Sequence, residues 1–394
     1  MKISLIIPSR NNLRYLKWAY NSIRKNQGNH TVEICVADDA STDGTWDWCQ
    51  ETMSDDSKFK AIRNEGPERQ GLVILNDKLI NEIASHDICM VFHADMYLCP
   101  EALDYIEKNI EPKTIVSLTR IEPPLHPEGA EKIVEDFGVE PETFKEDELL
   151  RWLIGFNQGE EIPDTEGIFA PWAFYKKDFQ EIGGHDVLFA PQSKEDSDIF
   201  NRFQLNGIKF IQTWKGFVYH MTSRGSRFNT YSGGAPGKNS EEWIGTTTRN
   251  MRNFIRKWGH AVMHDSFMKP IIPSKYDIGF IIKDAHIKLL EVLEPWCSTM
   301  YTDNDRLKYI ATEQPKTSID LSERVLSYDN EKNNQILVEI DSKTITQQDF
   351  QYIQQLPDIL SDSGERGEFD LGNLHITINN LETYEKDLII CKKQ

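Results

Sequence analysis

The feature that most narrows what this chain can fold into is the alternation, over its first 120 residues, of short β-rich apolar runs with helix-length amphipathic stretches. Runs at 2–8, 32–37, 58–62, 88–92 and 114–118 read as strands. Stretches at 13–25, 46–53, 72–83 and 101–108 read as helices, the last entered through Pro100, a residue suited to a first helical turn. That order predicts βαβ units, and hence a mostly parallel sheet flanked by helices.

The regularity stops at Arg120. From 120 to 167 the chain turns acidic and proline-rich ("EPPLHPEGAEKIVEDFGVEPETFKEDE"), which reads as an excursion from the sheet with no function assigned. Order resumes near Ile168. Residues 221–245 are rich in Gly, Ser and Asn and read as a flexible loop. A helix carrying "RNMRNFIRKWG" follows, closed by Gly259. Past 271, apolar runs at 279–282, 336–340, 374–378 and 388–389 alternate again with helical patterns such as 346–356. The expected division is a first domain over 1–270 and a smaller α/β domain over 271–394. A chain of 394 residues has room for both.

Composition excludes several partners. The formal charge is −19, so phosphate polymers and anionic lipid surfaces are repelled wherever the surface is not locally basic, and nucleic acid is not expected as a partner. No apolar run is long enough to span a bilayer, and the N-terminal run breaks too early for a signal peptide. A cytoplasmic address is the default expectation. The six cysteines show no ligand spacing, so neither zinc nor disulfides are expected from them.

Four constellations could carry chemistry. "VADDASTDGT" delivers Asp38 and Asp39 to a strand end, where ligands of open α/β sheets bind, although an Asx-turn with a helix cap explains the same residues. In "VFHADMYL", His93 and Asp95 fall at positions i and i+2 of an extended strand, placed to converge on a divalent cation, or simply to be solvated. "KEDSDIFNR" opens a helix with Glu195, Asp196 and Asp198, which the helix dipole alone would favour. Clustered carboxylates also raise one another's pKa, as a general base requires. "VYHMTSRGSRF" ends a strand at His220, either a packed histidine or a third metal ligand, and runs into a loop bearing Arg224 and Arg227 that could close over phosphates.

The succession "SLIIPSRNNLRYLKWAYNSI", "VADDASTDGT", "RQGLVILND", "HADMYL", "IGGHD", "KEDSDIFNR" and "VYH" resembles inverting glycosyltransferases of family 2 over residues 1 to about 260. The resemblance implies a GT-A fold: a Rossmann-like, mostly parallel sheet flanked by helices, here with a smaller C-terminal α/β domain. It implies that Pro8, Ser9, Arg10 and Asn11 lie beneath the nucleotide and that Asp38 and Asp39 contact base and ribose. Gly71 and Asn76 would mark a helix start beside the donor, with Ala94 among the donor contacts. It also implies Asp95 as direct ligand of Mn²⁺ or Mg²⁺, with His220 and His93 as further metal-site residues, and Asp196 as catalytic base. Arg224 and Arg227 would approach the diphosphate. Two departures stand out: His93 replaces the first acid of the DxD-type motif, and the usual basic residue near the "G…N" helix is either Arg69 or replaced by Gln70.

The implied reaction moves a sugar from a nucleotide donor, a UDP-sugar by resemblance, to a hydroxyl acceptor such as a glycan. A cation stabilises the leaving diphosphate and one carboxylate takes the acceptor proton. A sugar nucleotidyltransferase would carry a glycine-rich basic loop after the first strand, which "PSRNNLRYL" lacks. A decayed carbohydrate-binding protein is the non-enzymatic rival; His93 favours it, while Asp95 and Asp196 oppose it. The C-terminal domain could bind acceptor, bring a partner enzyme or mediate self-association, and its pattern does not choose.

Overall fold

The structure, a computed structural model, describes residues 1–159 and 162–391 and falls into two compact units. The first comprises Met1–Thr246, His264–Pro270 and Cys391; the second comprises Thr247–Met263 and Ile271–Ile390. Residues 247–263, expected at the end of the first domain, therefore group with the second unit. Residues 160–161 of the expected excursion and 392–394 of the expected C-terminal domain lie outside the described residues.

The first unit opens with β1 (Lys2–Ser9), α1 (Leu13–Asn26), β2 (Thr31–Asp39), α2 (Thr45–Asp55), β3 (Phe59–Asn64) and α3 (Gly71–Lys78). It continues through β4 (Ile88–Val91), β5 (Met96–Leu98), α4 (Ala102–Asn109), β6 (Thr114–Glu122), β7 (Lys132–Val134) and α5 (Glu146–Asn157). Then come β8 (Trp172–Tyr175), α6 (Lys176–Glu181), α7 (Glu195–Leu205) and β9 (Lys209–His220). The helix expected over 72–83 ends at Lys78 and passes into a π-turn over Leu79–Ile83. Pro100 stands before the helix it was expected to open, which starts at Ala102.

The strands lie in the order β3-β2-β1-β4-β8-β6-β9-β5, with β7 beside β6. β1 is parallel to β2 and β4, and β2 to β3. β8 runs antiparallel to both β4 and β6, so those two point the same way, and β9 is parallel to β6. In consequence β1, β2, β4, β6 and β9 all deliver their carboxyl ends to one edge. β1 is buried from Ile3 onward, as expected of a central strand covered on both faces.

The 120–167 stretch is not wholly an excursion. β6 runs four residues beyond the expected 118, and β7 pairs with it in parallel. α5 then sets Leu149 and Leu153 into an aromatic cluster with Tyr15, Tyr97, Phe217 and Tyr219. Apolar side chains spaced four apart suffice to bury one face of an otherwise acidic helix.

α8 (Glu241–Trp258) leads from the Gly/Ser loop, and Gly259 follows it at φ +79°. The second unit adds β10 (Ile278–Lys283), α9 (Ile287–Leu293), β11 (Thr299–Thr302), α10 (Arg306–Glu313), α11 (Leu321–Arg324) and β12 (Val325–Ser327). It closes with β13 (Ile336–Asp341), α12 (Gln347–Ser363), β14 (Gly367–Leu371) and β15 (Leu374–Ile378). The order is β12-β11-β10-β13-β15-β14: four parallel strands with an antiparallel hairpin at one side. The run at 388–389 is no strand; it ends a short 3₁₀ turn, Glu385–Leu388. The core of this unit encloses Glu294, fully buried, which takes hydrogen bonds from Arg256, Arg324 and the Tyr309 hydroxyl.

Candidate active site

The carboxyl edge of the first sheet gathers residues from five strands. β1 ends beside β2 in register, Ser9 against Asp38. Asp39, the last residue of β2, caps the entrance to α3: it accepts the amides of Gln70 and Gly71, each at 2.9 Å, and Asn64 Nδ2 at 2.8 Å. Gly71 sits at φ +80°, where a Cβ would lie 2.2 Å from Pro191, so only glycine lets α3 approach this closely.

His93 and Asp95 are not on a strand. They occupy the turn between β4 and β5, and it is this turn, rather than an i, i+2 alternation, that brings them together. His220 ends β9, and ligand atoms of His93, Asp95 and His220 all fall within 4.8 Å of one another. His220 Nδ1 is 2.8 Å from Glu122 Oε1 at the end of β6, which leaves Nε2 facing Asp95 at 3.5 Å. Nε2 is buried and has no hydrogen-bond partner. Asp95 Oδ2 accepts the Arg224 amide at 2.6 Å.

Charge confirms how tightly these groups are coupled. Burial opposes ionisation of Asp95, yet His220, His93 and the Arg224 amide hold it well below the usual carboxylate range. Burial would lower His220, but Asp95 and Glu122 outweigh it and push the imidazole up to about 9. His93 is pulled down, first by burial. Burial also opposes the charge of Glu122, and Arg120, His220 and Lys132 keep it ionised. Two imidazoles and one carboxylate, with a second carboxylate bonded to His220 Nδ1 and orienting its ring, fit a transition-metal dication better than the all-oxygen shell that Mg²⁺ favours.

Asp196 stands on the first turn of α7, half-buried, close enough to His93 for its charge to raise that imidazole's pKa. Its neighbour Glu195 is buried, with Oε2 unpartnered; burial and then the Asp196 charge push its carboxyl up to about 8. At neutral pH Glu195 therefore holds its proton. Asp198 pairs with Arg202 at 2.8 Å beneath the helix and is structural.

A cleft of 70 Å³ opens over this edge, lined by Pro8, Ser9, Arg10, Asp39, Arg69, Gly71, His93, Ala94 and Asp95, with Ser223, Gly225 and Ser226 across it. Several expected contacts lie elsewhere. Asp38 is fully buried, accepting the Ser41 amide and pairing with Arg63 at 3.4 Å. Asn11 accepts the Thr42 amide and lines neighbouring cavities. Gln70 turns its side chain to Lys78 and Asn64, and Asn76 is buried within α3. Arg227 packs over Phe228 and Trp243. Arg224 meets the centre through its backbone only; its guanidinium lies in an adjoining 320 Å³ cavity, bonded to the Val139 carbonyl and paired with Glu140. Sequence reasoning passed over Glu122, for which the one available signal was an acid ending a longer strand, and over Glu140 and Glu242, for which there was none.

Fold and site together define an open α/β domain whose ligand cleft and candidate cation centre lie at the carboxyl ends of its strands. Residues 4–159 match the sequence model of glycosyl transferase family 2. An abequosyltransferase, RfbV, of Salmonella typhimurium is 30% identical over 124 residues, which are 30% of this chain and 35% of that protein; the match thus spans about a third of the relative's length. Among solved structures, TarS of S. aureus is similar with a TM-score of 0.41 and 16% identity, over 57% of this chain and 37% of that one. A mannosyltransferase of Pyrobaculum calidifontis, solved with GDP-Man and Mn²⁺, gives 0.39 and 15%, over 56% of each chain. GalNAc-T7, solved with UDP, GalNAc and Mn²⁺, gives 0.45 and 14%, over 65% and 48%. No described helix is long and apolar enough to cross a membrane.

Proposed function

We propose that the chain transfers a sugar from a nucleotide-sugar donor to a hydroxyl acceptor, a glycan in the reading favoured here, by a single inverting displacement. The observation that carries this is the convergence of His93, Asp95 and His220 on one point, beside a cleft floored by Asp39 and within electrostatic reach of Asp196. Asp39 and the backbone around Ser9 would receive the nucleoside, and Arg10 and Arg69 would face its diphosphate. His93, Asp95 and His220 would hold the cation, with Glu122 orienting His220. That cation supplies charge stabilisation for the departing diphosphate.

Asp196 accepts the acceptor's hydroxyl proton as the oxygen attacks the anomeric carbon from the face opposite the phosphate. One carbon–oxygen bond forms as the other breaks, and the nucleoside diphosphate leaves with the bonding pair. Glu195, neutral beside it, adds no second negative charge for the attacking oxygen to meet. Asp196→Asn is expected to keep donor binding while transfer falls by about 10²–10⁴-fold, the range for loss of a positioned base. Near-normal transfer by that variant would assign the base elsewhere.

A further inference from the structure

Arg10 and Arg69 lie 59 positions apart and line the same cleft as Asp95, yet both turn their guanidinium groups to one carboxylate. Arg69 Nη1 is 2.5 Å and Arg10 Nη1 3.5 Å from Glu242 Oε1. The other oxygen, Oε2, accepts the Ser232 hydroxyl at 3.0 Å. Arg69 is further steered by Gln192, which accepts from Nη2 at 2.5 Å, and by Asp39 at 3.7 Å. A polar cavity of 120 Å³, walled by Arg10, Arg69, Gln192, Ser232 and Glu242, continues from the cleft at this point.

An acid at a helix start is commonplace, because the dipole favours it. What the dipole does not explain is that this acid gathers two arginines from the ends of other elements, 173 residues and more than 200 residues away in sequence, at the wall of the donor cleft. Burial works against the charge of Glu242, and Arg69, the Ser232 hydroxyl and Arg10 together outweigh it and hold its pKa below the usual value. Guanidinium forks match phosphate oxygens at least as well as they match a carboxylate.

We infer that Glu242 is a built-in anion that fills the arginine subsite of the donor cleft and is exchanged for the donor's diphosphate. This rests on the nucleotide-sugar reading above. Arg10 and Arg69 pair either with Glu242 or with phosphate, so donor affinity reports the difference between the two. The exchange frees Ser232 as well, and so couples donor arrival to the 221–240 loop.

The sign of one measurement decides it. UDP and GDP are titrated calorimetrically, each with Mn²⁺, into the full chain as wild type, Glu242→Gln and Glu242→Ser. Both variants should bind the preferred nucleotide at least about fivefold more tightly, the factor matching an exposed ion pair of ~1 kcal/mol. Unchanged or weaker binding by correctly folded variants would overturn the exchange and make Glu242 a supporting group for the arginines. If the wild type binds neither nucleotide nor Mn²⁺-pyrophosphate, the proposed function falls, and this inference with it.

Discussion

Replacing Glu195 by Gln should stabilise the protein, and should do so only above a definite pH. Glu195 is 6% exposed, its Oε2 has no hydrogen-bond partner, and Asp196 adjoins it. Burial and that neighbouring charge raise its pKa from 4.5 to about 8. In the unfolded chain the group ionises near 4.5; in the native protein it holds its proton until about 8. Between those values the native state binds the extra proton, so stability falls as pH rises, by about 1.4 kcal/mol per unit while the difference is complete. The total is on the order of 3–5 kcal/mol, present below pH 4.5 and lost by pH 8.

Glutamine keeps the size and never ionises, so Glu195→Gln escapes the loss. Any fixed cost of the amide displaces both ends of the comparison equally. Thermal unfolding from pH 5 to 8.5 should show the variant's advantage growing with pH to roughly 10 °C, at about 2–4 °C per kcal/mol for a unit of this size. A constant gap, or one that closes as pH rises, would refute the assignment of Glu195 as the neutral partner of Asp196.

Glu294→Ala removes the carboxylate shared by Arg256, Arg324 and Tyr309 in the second unit, leaving the buried Arg324 guanidinium without its carboxylate and Arg256 with Glu313 alone. It should cost about 3–5 kcal/mol in urea unfolding, and no measurable cost would contradict the buried network. Gly71→Ala forces a Cβ to within 2.2 Å of Pro191 at φ +80°. A loss of at least about 2 kcal/mol is expected by the same assay, with weaker Mn²⁺-UDP binding because the Gly71 amide is one of Asp39's two backbone donors there.

Much of the first sheet could be read from the residues because local and tertiary preferences agree there. The β1 run Ile3–Ile7 is apolar throughout, as two-sided burial requires, and the helices at Leu13 and Thr45 begin after polar turns rich in Asn, Ser and Asp. Boundaries set by tertiary contact were less legible. β6 continues to Glu122 only because β7 and β9 pair with it, and Pro100 is passed over because α4 starts after Glu101.

At the site, His93, Asp95 and His220 do come together, but not by the expected geometry: a turn, not a strand, joins His93 to Asp95. Arg224 illustrates the limit of motif matching, since its amide, which any residue but proline would supply, meets Asp95 while its charge points elsewhere. Glu242 reaches Arg10 and Arg69 from a distant element, and no local pattern announces such a contact; Glu122 had only its place at the end of a longer strand to mark it. Short β11 and β12 were missed in the second unit because three or four residues give no period to detect.

The most direct test of the central claim is nucleoside diphosphate release from a panel of UDP- and GDP-sugars by the full chain, with Mn²⁺, after EDTA, and in Asp95→Asn. Release from at least one donor that depends on Mn²⁺ and disappears in both EDTA and the variant is the predicted result. Undiminished release in EDTA, or by Asp95→Asn, would contradict it.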